Sequence, residues 1–296
     1  MSAVVDEAAG HAGETRPEQT AGTTARRRRS VTLTIGLVLV GIVVVVAIVS
    51  LFWVPFAPSD TSGGRLEHPG ATHWLGTDKL GRDLLTQLMI GARIALTVGL
   101  GSVAIGAVIG VTLGLLAAFA SAWLDDTISA ALDILIAFPT LLLAMLIVAA
   151  QGASLGTAIV AIGLAMSAVV ARLTRVLSKR VLAQQYVTAA RTSGTGWFGV
   201  IGRHIMPNIW PTLSVNLALQ FGIAVLAEAS LSYLGLGAPP PNASWGRLLQ
   251  EAQGTVAVAP VGAIAPGVAL VILVIGVNLV ADGLRDVADP TRKRSR

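Results

Sequence analysis

Residues 94–124 read IALTVGLGSVAIGAVIGVTLGLLAAFASAWL, 31 consecutive positions without Asp, Glu, Lys or Arg. A helix rises 1.5 Å per residue, so about 20 residues cross the apolar core of a bilayer. This run is long enough to span a membrane with residues to spare. Its small residues recur every fourth position, at Ser102, Gly106, Gly110 and Gly114, with Ala118 next. That spacing lines one helix face and lets a second backbone approach closely. It predicts a packing face, within a bundle or toward a partner subunit, although glycine is common in membrane helices generally.

Four more uncharged runs flank this one: 31–54, 134–171, 205–227 and 252–281. The 134–171 run is interrupted by Gln151-Gly152-Ala153-Ser154 and divides into two helices around a polar turn. Six spans follow, at 31–53, 94–120, 127–150, 155–172, 208–230 and 261–282. Composition agrees. Of 296 residues, 54% are hydrophobic and only 12% are charged, about half the charge of a soluble domain. So few charges cannot cover a water-exposed surface, and soluble, fibrous and disordered classes are excluded for most of the chain. The fold class is all-α, a polytopic membrane protein. Cysteine is absent, which excludes disulfides and leaves the redox compartment open.

Arg26–Arg29 ahead of the first run resembles a signal peptide, even a twin-arginine one. A run of 24 apolar residues exceeds a signal core, however, and no small-x-small site follows Trp53. The run is read as an uncleaved span. Lys and Arg set the orientation. With the N-terminus inside, 16 basic residues fall on inner segments and five outside, namely Arg65, Lys79, Arg82, Arg93 and Arg247. Both termini are therefore expected in the cytoplasm. Trp53, Trp123 and Trp210 at span ends fit interfacial positions. Residues 1–30 read as a disordered cytoplasmic tail, residues 54–93 as an extracytoplasmic loop, and 283–296 as a cytoplasmic tail. The net charge of +5 is a topology signal, and no nucleic-acid partner is expected.

Little in the chain can carry chemistry. His68 and His73 lie near Glu67 and Asp78, but their spacing fits no metal-ligand pattern, and they read as solvated loop residues. Gly76-Thr-Asp-Lys-Leu-Gly81-Arg82-Asp83 imitates a phosphate loop. It carries arginine for lysine and aspartate for the metal-binding hydroxyl, follows no strand, and lies outside. It is rejected as a nucleotide site. No catalytic, cofactor or metal residues are assigned. Two acidic residues fall within spans, where charge is expensive and function is the default reading. Asp133 is close enough to the inner interface to snorkel. Glu228, with Ser232, is a candidate for the pathway or a gate.

The most informative segment is the inner loop between the fourth and fifth spans, about 35 residues long where the other inner loop has six. Val181-Leu182, Tyr186-Val187 and Ala189-Ala190 recur at helical spacing. The helix can stop at Gly194, a residue that tolerates a left-handed cap. A second short helix follows with Trp197, Phe198, Val200 and Ile201, and Pro207 suits the first turn of the fifth span. Two short helices with small and aromatic residues form a docking element. The alternative is an amphipathic segment lying on lipid, supported by Arg191 and Arg203.

The stretch Thr188-Ala189-Ala190-x3-Gly194-x12-Pro207 resembles the EAA loop of permease subunits of ATP-binding-cassette importers. It departs from that pattern at Thr188, where the family has glutamate, and at His204 and Met206, where it has isoleucine and leucine. An acidic contact from position 188 is thus not expected. Leu75–Asp83 is similar to the family's GTDxLGRD segment, and Phe138-Pro139 fits the third span. Glu228–Gly237, followed by Pro239-Pro240-Pro241 and Ser244-Trp245-Gly246, is similar to EASLSFLGLG…SWG. Asn278–Asp286 with Asp289-Pro290 resembles the family's ending. Together these motifs resemble the C-type permease of the dipeptide, oligopeptide and nickel group across residues 31–290.

The resemblance implies a type I importer fold, with a five-helix core at 94–282 that contains a coupling loop at 173–207. It also implies a bacterial inner-membrane location. Its partners would be a second homologous permease, two cytoplasmic ATPases that bind ATP and Mg, and an extracytoplasmic substrate-binding protein. Thr188, Ala189, Ala190, Gly194, Trp197, Phe198 and Pro207 would form the ATPase-coupling element. The substrate expected is peptide, with nickel or another small solute as the alternative. An ion-coupled carrier would need inverted repeats, broken spans and ion ligands, and no convincing repeat is found. A membrane enzyme would need a catalytic constellation.

Overall fold

The computed structural model describes residues 31–288 except 238 and 240–242. The expected tail at 1–30, and the part of the expected C-terminal tail beyond 288, lie outside the described residues. So do Asp289-Pro290 and part of the Pro239–Pro241 run. The described residues form helices α1 (Val31–Phe52), α2 (Leu84–Phe119), α3 (Ala122–Ala137), α4 (Thr140–Gln151), α5 (Leu155–Leu182), α6 (Gln185–Thr192), α7 (Trp197–Val200), α8 (Met206–Tyr233), α9 (Trp245–Ala252) and α10 (Val261–Ala288). Among the described residues, five helical segments are long and apolar enough to cross a membrane, and a sixth is obtained if α3 and α4 count as one bent span.

Several boundaries differ from the expected ones, each for a local reason. Helix α2 begins at Leu84, ten residues before the uncharged run. The Asp83 carboxylate caps it, accepting from the Thr86 N–H at 2.7 Å. Arg93 interrupts the apolar run but not the helix, because arginine is a good helix former. The third span is not one rod: α3 and α4 meet at 88° across Phe138-Pro139. Proline lacks the N–H that would continue the ladder and pushes the preceding residue out of the helical region. Phe138 is extended, with φ −76° and ψ 131°.

Helix α5 runs past residue 172 to Leu182, so the first ten residues of the expected loop 173–207 prolong a transmembrane rod. Val181 and Leu182 belong to α5 and not to the helix of Tyr186 and Ala190. The break falls at Gln184, which is extended at ψ 140°. On the far side, α7 is not a separate element. A π-helical turn, Ile201–Ile205, joins it to α8, and Trp197–Tyr233 is one helical segment. The Met206 N–H reaches back five residues to the Ile201 carbonyl. This wider turn comes just before Pro207, which has no N–H to give. Helix α10 continues beyond the expected end at 282.

Helices α2 and α5 form the central seam. Ser102 Oγ donates to the Ile159 carbonyl at 3.1 Å. A Cβ on Gly106 would stand 3.1 Å from the Gly163 carbonyl, one on Gly110 2.7 Å from the Ser167 carbonyl, and one on Gly114 2.6 Å from Thr174 Cβ. All four small residues are buried. The expected stripe therefore lies against α5 of the same chain. On the flank, α1 packs on α10 through Gly36 and Gly276. Ile94, Val98, Val148, Ile162, Met166 and Leu231 bring α2, α4, α5 and α8 into one apolar cluster.

Candidate functional site

The rod α5 ends at the side expected to face the cytoplasm, the inner side in that orientation, and hands the chain to α6. Helix α6 buries one residue, Val187, in a small cluster with Val200, Ile205 and Ile209. Gly194, at φ +90°, turns the chain where a side chain would be strained, and the Thr195 N–H bonds back to the Ala190 carbonyl at 3.0 Å. The Arg191 guanidinium lies 3.3 Å above the Trp197 ring, a cation–π contact. Trp197 stands edge-on to Phe119 at the end of α2, with centroids 4.8 Å apart. Asn208 Nδ2 donates to the Tyr186 hydroxyl at 3.4 Å.

These contacts pin a small platform whose outer surface stays open. Thr188, Ala189 and Gly194 are exposed, Ala190 is half-buried, and Phe198 is 92% exposed. A cavity of about 510 Å³ opens between α6 and the ends of α2 and α5, lined by Phe119, Val187, Thr188, Arg191 and Trp197 among others. Six of the seven expected coupling residues thus gather on one platform. Pro207 lies apart, at the start of α8. Residues 173–207 hold no Asp or Glu, so the platform presents shape, apolar surface and positive charge.

The opposite end, the outer one in the expected orientation, is built differently. His73 is not the solvated loop residue expected from sequence. It is buried, its Nδ1 lies 3.0 Å from Asp83 Oδ1, and its ring packs on Phe56. The carboxylate that caps α2 thereby also holds the loop. His68 is exposed. Among the described residues no three His, Asp or Glu side chains group as a metal site. The segment that imitates a phosphate loop closes on itself. Asp78 Oδ1 accepts from the N–H groups of Leu80 and Arg82 at 2.8 and 2.9 Å. Arg82 then bridges Asp78 and Glu251, each at 2.6 Å, which fastens the loop to α9. Trp245 Nε1 donates to the Leu88 carbonyl at 2.9 Å.

Glu228 and Ser232, the residues expected at the pathway or a gate, are buried within the subunit, 2% and 4% exposed. Ser232 Oγ donates to Glu228 Oε1 at 2.6 Å, and the Ser244 side chain bonds to the same carboxyl. Ser244 also caps α9 by accepting from the Arg247 N–H at 3.2 Å. A carboxyl removed from water requires such partners. The three residues join α8 to α9, and Ser232 also borders a cavity of about 150 Å³ with Gly235, Arg247 and Gln250.

Three ion pairs on two aspartates of α3 were not expected. Asp125, buried in the first turn of α3, accepts from Arg175 Nε and Nη2 at 2.5 and 2.7 Å and also pairs with Lys179. Asp133 does not snorkel alone but pairs with Arg172 at 3.4 Å, both exposed. The available signal was one inner loop with two aspartates and no basic residue, facing another with six basic residues and no acid. The α3–α4 break is the kind of feature an ion-coupled carrier uses, but residues 134–151 around it contain no charge.

The model of the family described as "Binding-protein-dependent transport system inner membrane component" matches residues 110–294. The glutathione transport system permease protein GsiD of Pectobacterium atrosepticum is 38% identical over 259 residues, 86% of each chain. The dipeptide transport system permease protein DppC of Alkalihalophilus pseudofirmus is 36% identical over 260 residues, 88% of this chain and 86% of that one. A chain from an inward-facing structure of the MetNI methionine ABC transporter aligns with a TM-score of 0.59 at 22% identity, covering 69% of this chain and 97% of the other. That likeness is one of fold. With the family model spanning more than half of the sequence and relatives similar over most of it, the chain belongs to the family of binding-protein-dependent transport system inner membrane components.

Proposed function

We propose that this chain is one of two homologous permease subunits of an importer that carries short peptides across a bacterial inner membrane. The platform at residues 185–205 is its contact with a cytoplasmic ATPase. The observation that carries this reading is the platform itself, a rigidly pinned surface with a bulky aromatic residue, Phe198, left almost wholly exposed. Burying a phenylalanine is worth about 1.5–3 kcal/mol, and an exposed one on a held surface suits a partner that covers it. Thr188, Ala189 and Ala190 are small enough for close approach. With both termini cytoplasmic, the platform faces the compartment that holds ATP. ATP and Mg reside in two partner ATPases, and an extracytoplasmic binding protein delivers the solute from outside. The names of the relatives, glutathione and dipeptide permeases, favour short peptides over nickel.

ATP closure of the ATPases would draw the two platforms together, and the α5 rod would carry that motion into the membrane. For this, ATP must favour one conformation over the other. The test is ATP-driven uptake by the complete complex in proteoliposomes. Ala189→Trp or Ala190→Trp should reduce uptake at least tenfold while the permease remains in the membrane. Undiminished uptake by both variants would remove the platform from the coupling path. Competition by di- and oligopeptides, glutathione or nickel against a labelled peptide identifies the solute class.

A further inference from the structure

Helix α3 packs on the inner half of α5 and, at Leu113, on α2. Leu132 is buried against Ala168 and Ala171. One turn from the inner end of α3, Asp125 receives both the Arg175 fork and Lys179, and the Asp125 side chain is only 8% exposed. Arg175 and Lys179 lie one turn apart on the stretch of α5 that leads directly into α6. At its other end α3 is released by the 88° break at Phe138-Pro139. Beyond the break, α4 packs with Ala158, Ile162 and Leu231 in the outer cluster through Ala144 and Val148. The bent span therefore lies along α5 with both arms, α3 on the half that leads to the platform and held there by charge, α4 on the other half and held, with α8, by apolar packing.

We infer that Asp125 is a positioning residue for transport. It makes α3 travel with the inner half of α5, so a displacement of the platform is delivered to the bent span and not lost between two sliding helices. The fork geometry suits that task. Two parallel N–H···O bonds fix orientation as well as distance, and Lys179 supplies a second charge on the same carboxylate. A carboxylate so enclosed resists separation, because parting would leave it buried and unpaired. Asp133 and Arg172, exposed and more distant, are a looser second rung.

This inference rests on the transport reading above, and the experiment separates the two. The complete complex is reconstituted, and solute taken up per ATP hydrolysed is measured beside the amount of assembled complex. Asp125→Asn is expected to lower uptake per ATP at least fivefold. The charge-exchanged chain, Asp125→Lys with Arg175→Asp and Lys179→Asp, is expected to recover to within about threefold of wild type. The chain has no cysteine of its own, so Asp125→Cys with Lys179→Cys can be joined by a short reducible linker. The joined protein should regain the yield that the unjoined one loses. An unchanged yield in Asp125→Asn overturns the inference, as does loss of uptake on joining that reducing agent reverses, since either means that the helices need not move together. A wild-type complex with no ATP-driven uptake would count against the transport reading instead.

Discussion

The two ends of this molecule use their polar and aromatic residues in opposite ways. At the outer end, conspicuous side chains are consumed internally. Asp83 caps α2 and holds His73, Arg82 bridges two carboxylates, Glu228 is enclosed by two serines, and Trp245 donates into α2. At the inner end, α6 buries Val187 and leaves Thr188, Ala189 and Phe198 open. Both ends carry stretches that resemble the same family's motifs, so resemblance alone does not say what a residue does. A motif that closes on itself builds the subunit, while one that stays open is, on the proposed reading, a surface for another chain. Substitutions at the two ends should therefore separate stability from coupling.

The largest loss of stability is expected for Trp245→Ala. The indole is 2% exposed and packs against Gly91 with no room for a Cβ between them. Truncating it should cost about 3–5 kcal/mol, read as a lower unfolding midpoint of the purified chain in detergent. Arg82→Ala should come next, at about 3 kcal/mol, because Asp78 and Glu251 lose their shared cation in a largely buried setting. Arg82→Lys should recover less than half of that loss, since an ammonium cannot present a planar fork to two carboxylates. A midpoint within a degree of wild type for either alanine variant would mean that the outer clasp is an exposed surface feature. The comparison between the two ends would then fail.

How much of this was legible beforehand differs between the two ends. The spans were visible because charge is excluded from them, and the platform because its loop was too long to be a connector. Boundaries were misplaced wherever a local device overrode the charge pattern. Arg93 trimmed a helix that Asp83 had already started, Pro139 bent a run that looked continuous, and a π turn carried α8 through Pro207. The pairings of Asp125 with Arg175 and of Arg82 with Glu251 join residues 50 and 169 positions apart. No periodicity reports such a contact. Glu228 poses a related question. An acid in a span is either a functional group or a satisfied structural one, and only the positions of Ser232 and Ser244 decide between them.

Phe198→Ala should have the smallest effect on the fold and tests the inner end directly. A side chain 92% exposed makes few contacts to lose, so the unfolding midpoint should move by less than the equivalent of about 0.5 kcal/mol. If an ATPase covers this residue, the lost burial of about 1.5–3 kcal/mol corresponds to roughly 10–150-fold weaker association. That is measurable as binding of the purified ATPase to the permease in nanodiscs. The competing view is that Phe198 dips into the lipid interface, as an amphipathic segment with Arg191 and Arg203 nearby could do. In that case ATPase affinity would stay at the wild-type level. A brominated-lipid quenching signal from the adjacent Trp197 would then fall on substitution, because the anchor holding that corner in the headgroups is gone. The two views make opposite demands on one substitution, and only the first requires a partner to fill the space beyond the platform.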